Sequence, residues 1–258
     1  TVRVPRADWK PKGWVPPMVQ NKMVTANHVH IDQALKTPQF WLLWMVLCLN
    51  VTAGIGVLGQ ASVMIQEMFR DSISVAAAAG FVGLLSLGNM AGRFIWSSAS
   101  DYLGRKNTYF IFFAFGIVLY AAVPSLGKSS AAGAFVVCYF LILTMYGGGF
   151  ATIPAYLADM FGTRFVGGIH GRLLTAWSTA GVLGPVLVNY IREYQISHGV
   201  AKADAYTVTM YVMAALLIVG LVCNLFIRPV HEKHHMRHDE FDEMDGIIGL
   251  STRGAPAR

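Results

Sequence analysis

The sequence predicts an all-α membrane protein with six transmembrane helices, on three observations. Of its 258 residues, 55% are hydrophobic and 13% charged, where a soluble domain carries roughly 25% charged residues. The mean hydropathy is +0.49. Six apolar runs are each long enough to cross a hydrocarbon layer of ~30 Å, which takes about 20 helical residues. No alternating strand pattern interrupts them, and abundant glycine suits helices packed closely in lipid.

The first run covers 38–68 and opens on Thr37-Pro38, a capping residue followed by a proline that fits the first helical turn. The second covers 74–100, the third 107–124 and the fourth 130–160. The fifth covers 165–193, and the sixth covers 205–227 and is closed by Arg228-Pro229. Residues 1–37 read as a polar loop or linker entering from upstream, 38–228 as the six-helix bundle, and 229–258 as a polar, disordered tail. Cys48, Cys138 and Cys223 each lie inside an apolar run, which argues against a disulfide framework.

Six crossings place both ends on one side of the membrane. That side collects 15 of the 20 Lys and Arg, against 4 on the other, although the short loops alone tie. Positive charge favours the cytoplasm, so both ends are expected there, in a multi-pass protein of the cell (inner) membrane. The net charge of +6 lies at segment ends and tails rather than in a stripe suited to nucleic acid.

Arg93 lies in the second run, where Gly80 to Trp96 holds no other charge. Counted back from Asp101 at ~1.5 Å per residue, it sits about 12 Å deep. A central arginine costs roughly 2.5–3.5 kcal/mol to insert, so it is expected to face protein or water. Ser86 and Asn89 precede it by two turns and one turn, giving a polar stripe on an apolar helix. The forked guanidinium suits a carboxylate. Tyr146, beside Gly147-Gly148-Gly149 in the fourth run, joins the candidate substrate set. The glycine trio, Pro154, and Gly181 to Pro185 in the fifth run read as places where helices bend.

Asp101, Gly104, Arg105 and Lys106 form D-x-x-G-R-K between the second and third runs. Glycine permits the turn, and Asp101 is expected at the neighbouring helix N-terminus, where negative charge is favoured. Asp159, Gly162 and Arg164 repeat the acid–glycine–cation order at the next turn on that side. Asp101, Gly104, Arg105, Lys106, Asp159 and Arg164 are the candidate gate.

The D-x-x-G-R-K loop resembles the signature of the major facilitator superfamily. Pro154 to Gly162, followed by Gly171 to Trp177, resembles the oxalate/formate antiporter family, which is related to the monocarboxylate transporters. The resemblance implies the C-terminal six-helix half of a carrier, with a further six-helix half as partner and an arginine of the eighth helix, here Arg93, on an anionic substrate. Monocarboxylate transporters carry an aspartate one turn earlier, where this chain has Asn89. The oxalate carrier has a lysine in a T-A-K context, where this chain reads Thr175-Ala176-Trp177. One cation suits one carboxylate, so a monocarboxylate is favoured over oxalate. Trp177, ~16 Å into its helix, would then wall the site opposite Arg93.

The rival readings are a membrane enzyme and a structural or channel-forming bundle with a metal-binding tail. His231-Glu232-Lys233-His234-His235 matches H-E-x-x-H, but it follows the last run in a charged tail without apolar periodicity. The sequence is therefore read as a transporter with no catalytic residue, no metal site and no cofactor.

Overall fold

The computed structural model describes residues 12–13, 23–69, 73–129 and 131–237. A four-residue helix, α1 (Ile31–Ala34), precedes the long helices α2 (Pro38–Met68), α3 (Val75–Leu103), α4 (Arg105–Lys128) and α5 (Ala132–Phe161). The fifth crossing is broken into α6 (Val166–Leu173) and α7 (Thr175–Ser197), and α8 (Thr207–Phe226) completes six candidate membrane spans. No strand occurs among the described residues.

Local chemistry sets the boundaries. The Thr37 hydroxyl accepts the Phe40 amide at 3.3 Å, with Pro38 at the first helical turn. Ser74 caps α3 through the Ala77 amide at 3.1 Å. Between α3 and α4 the chain turns on one residue, Gly104, at φ +84°, a conformation that a side chain disfavours.

The central helices are α2 and α5, whose most apolar windows are 67% and 61% buried, against 28% for α3 and 22% for the α6–α7 span. The principal packed pairs are α3 on α5, α2 on α7, and α4 on α8. α3 and α7 flank this centre without forming a packed pair, and they bracket an open side of the bundle. Small residues bring the pairs together. A Cβ on Gly92 would lie 2.6 Å from the Thr144 carbonyl carbon, and one on Gly56 would lie 2.9 Å from the Gly184 carbonyl oxygen.

The glycine trio of α5 serves packing rather than bending. A Cβ on Gly147 would overlap Asn89, one on Gly148 would overlap the Trp96 ring, and one on Gly149 would overlap the Asn50 amide. Helices α5 and α7 run on through Pro154 and Pro185. The discontinuity falls at Leu174, where no proline marks it.

The loop before α2 and the start of the tail lie at one end of the bundle, here the near end. The Val29 amide donates to the Phe161 carbonyl at 3.0 Å, and the Met236 amide to the His28 carbonyl at 2.9 Å. Arg172 reaches Asp32 at 2.8 Å. Within the expected tail, residues 232–234 form a 3-10 turn, and residues 238–258 lie outside the described residues.

Candidate functional site

Three helices meet around the Arg93 side chain on the open side. Arg93 projects from α3 and is exposed in this six-helix unit. Its guanidinium carbon stands 5.2 Å from the centre of the Phe150 ring of α5. Phe150 in turn packs on Trp177 of α7, with ring centroids 4.7 Å apart. One turn before Phe150, Tyr146 is 8% exposed, with its hydroxyl against the Trp177 indole and in the field of Arg93. The site is a cation held over an aromatic face, a geometry favourable by about 0.5–2 kcal/mol.

Among the described residues the Arg93 guanidinium has no carboxylate partner. Its N–H edge remains able to grip an anion, and aromatic rings exclude water from one side. Sequence reasoning placed Arg93, Trp177 and Tyr146 in the site and missed Phe150. A phenylalanine in an apolar run carries no polar signal, and only its i+4 spacing from Tyr146 put it on the same face.

The rest of the polar stripe points elsewhere. Asn89 is half-buried against Gly147, and its Oδ1 is enclosed without a hydrogen-bond partner. Ser86 is exposed and donates to the Val82 carbonyl of its own helix at 3.0 Å.

The D-x-x-G-R-K residues form a second cluster at the near end. Arg105 is 7% exposed and bonds Asp101 and the Ser100 hydroxyl, and its Nε lies 3.4 Å from Asp159 Oδ2. Asp101 was expected on the backbone end of the neighbouring helix. It pairs instead with the Arg105 side chain, and α4 has no side-chain cap. The Lys106 ammonium donates to the carbonyls of Leu225 (2.9 Å) and Ile227 (2.7 Å), tying the end of α8 to the start of α4. Basic groups suit a helix C-terminus, where carbonyls lack amide partners. The Arg164 guanidinium stands over the Phe165 ring at 5.9 Å.

The histidine-rich segment is not one continuous α-helix. His231 and His235 flank the 3-10 turn, with the His231 Nδ1 accepting the Lys233 amide at 3.2 Å. An H-E-x-x-H site requires both histidines on one face of a continuous α-helix. Among the described residues, no group of three or more His, Cys, Asp or Glu side chains is placed to hold a metal ion.

The family model described as Major Facilitator Superfamily matches residues 3–185 and 86–255. The chain belongs to the Major Facilitator Superfamily. The six candidate spans among the described residues fit half of that fold, and with the family they make the chain a multi-pass membrane protein. The oxalate:formate antiporter of Oxalobacter formigenes is 28% identical over 164 residues, covering 63% of the chain and 38% of that protein. A multidrug transporter of Candida glabrata is 26% identical over 197 residues, covering 75% of the chain and 31% of that protein. The chain thus spans about a third of the length of these superfamily relatives.

Proposed function

We propose that the protein carrying this chain moves small carboxylates across a cell membrane by alternating access, with monocarboxylates preferred over oxalate. Arg93 binds the carboxylate through its fork, and Phe150, Trp177 and Tyr146 form the apolar wall that accepts the short carbon end. The second wall comes from a further six-helix half, since sites of such carriers lie between repeats near the bilayer midplane. Asp101, Gly104, Arg105, Lys106, Asp159 and Arg164 gate the cytoplasmic mouth, and both ends of the chain lie on that side.

The observation that carries this reading is the Arg93 guanidinium, exposed over the Phe150 ring and with no carboxylate partner among the described residues. The name of the Oxalobacter relative supports the substrate class, and an indole in place of the lysine of that family supports the monocarboxylate preference.

The test is uptake of labelled formate, lactate and oxalate into vesicles by the full-length protein. Arg93→Ala is expected to abolish carboxylate uptake, and Arg93→Lys to retain charge but lose most activity. Normal uptake by Arg93→Ala, or a strong wild-type preference for oxalate, sinks the reading.

A further inference from the structure

The break between α6 and α7 is held by a side-chain relay. The Thr175 hydroxyl donates to the Arg172 carbonyl at 2.8 Å, bridging the last turn of α6 to the first residue of α7. The same oxygen accepts the Trp44 indole N–H from α2 at 2.9 Å. A threonine hydroxyl bonded back to an earlier carbonyl competes with the helix ladder, and here the same hydroxyl is tied to a neighbouring helix. Leu174 retains helical angles, φ −62° and ψ −13°, so span five is interrupted at one residue without unwinding.

Trp177 stands two residues past this pin, within the first turn of α7, and packs on Phe150 at 4.7 Å. The direction in which α7 leaves the break therefore sets how far the indole stands from the ring beneath Arg93. Further along the same interface, Gln60 donates to Asn189 at 2.6 Å, and Glu67 and Arg192 pair at 2.5 Å. These contacts hold the far part of α7 on α2, and the Trp44–Thr175 bond joins the two helices at its beginning, beside the buried Ala176.

We infer that Thr175 and Trp44 are positioning residues: their hydrogen bond holds the start of α7 so that Trp177 closes the aromatic wall at the width suited to a small monocarboxylate. The inference rests on the carboxylate reading of the Arg93 site. It assigns Thr175 and Trp44 no contact with substrate.

The experiment uses the full-length protein in proteoliposomes, with Cys48, Cys138 and Cys223 replaced by alanine and the exposed Ser178 changed to cysteine as a reporter. Thr175→Val removes the hydroxyl at similar volume, and Trp44→Phe removes the N–H and keeps a ring. Each is expected to change the Ser178→Cys labelling rate by roughly three- to tenfold, the scale of one hydrogen bond. The double variant should shift no further than either single, and Thr175→Ser should restore the original rate. The same variants should raise KM for formate or lactate relative to oxalate by a similar factor, with maximal rate within about twofold of the original.

Unchanged labelling, or additive shifts in the double variant, overturns the inference. So does shifted labelling in variants that keep the wild-type discrimination among carboxylates. Shifted labelling with the expected non-additivity, in a protein that handles no carboxylate even as wild type, upholds the pin and refutes the substrate reading instead.

Discussion

Glu67 and Arg192, 125 residues apart in sequence, meet in a two-pronged contact at the far end of the bundle. Nη2 reaches Oε1 at 2.5 Å and Nε reaches Oε2 at 3.0 Å. The Tyr206 hydroxyl donates to Oε2 at 2.6 Å, and both charged side chains are at most 15% exposed. Removing one partner strands the other charge, at a cost of about 3 kcal/mol for a largely buried pair. Arg192→Met alone is therefore expected to lower thermal stability in detergent more than Arg192→Met combined with Glu67→Leu. Simple additivity of the two substitutions would refute the coupling.

Gly92 and Gly83 lie on the same helix in opposite circumstances. A Cβ on Gly92 would press into the Thr144 backbone, and one on Gly83 meets nothing within 4 Å. Gly92→Ala is expected to destabilise by about 1–3 kcal/mol through overpacking at the α3–α5 crossing. Gly83→Ala should be neutral or stabilising by up to ~1 kcal/mol. Unfolding midpoints of the two variants compare these directly.

At the near end, Arg105 matters more than Asp101. Asp101 is 57% exposed, so its share of the ion pair is screened, whereas Asp159 is 12% exposed and loses its cation with Arg105. Arg105→Ala should therefore increase thiol labelling of reporter cysteines at that end several-fold more than Asp101→Ala does. Equal effects would show that the buried Asp159 contact is not what holds the end together.

Docking of the loop before α2 should weaken in acid. Burial, and then the positive charge of Arg164, lower the His28 imidazole below its ordinary 6.5. Between its folded-state value and 6.5 the undocked chain binds more protons, so the contribution is full above 6.5 and falls as pH drops below it. The Val29 amide, bonded to the Phe161 carbonyl at 3.0 Å, reports this. Its exchange protection, corrected for intrinsic rate, should be lower at about pH 5.5 than at about pH 7.5, and His28→Asn should flatten the difference.

Trp177→Lys places a second cation near Arg93. On the proposed reading it shifts preference from monocarboxylates toward oxalate by roughly one to two decades, the scale of a charge-assisted hydrogen bond. Competition of oxalate against labelled lactate measures the shift, and an unchanged ratio argues that position 177 does not face the substrate.

What the sequence made legible follows a physical divide. Span ends written in local chemistry were readable: Thr37-Pro38 opens α2 where expected, and the sixth run, 205–227, brackets α8 at Thr207–Phe226. The break at Leu174 was not, because the residue keeps helical angles and the hydrogen bond beside it, from Trp44 to Thr175, joins residues 131 apart in sequence. Arg93 stood out because a charge in lipid needs a reason. Phe150 did not, because an apolar residue needs none. Asp101 was assigned to a helix end on charge alone, but the guanidinium one turn on competes better for it than unpaired amides.

Seating Arg93 on a ring rather than on a carboxylate also has an electrical consequence. A π face leaves the guanidinium's full positive charge in place, so on the proposed reading the empty site carries one net charge and the site loaded with a monocarboxylate carries none. Membrane voltage acts on a charge by about 2.3 kcal/mol per 100 mV across the whole bilayer. It would therefore bear on reorientation of the empty carrier and spare the loaded one. One-for-one exchange, which never reorients empty, would proceed at a rate indifferent to voltage.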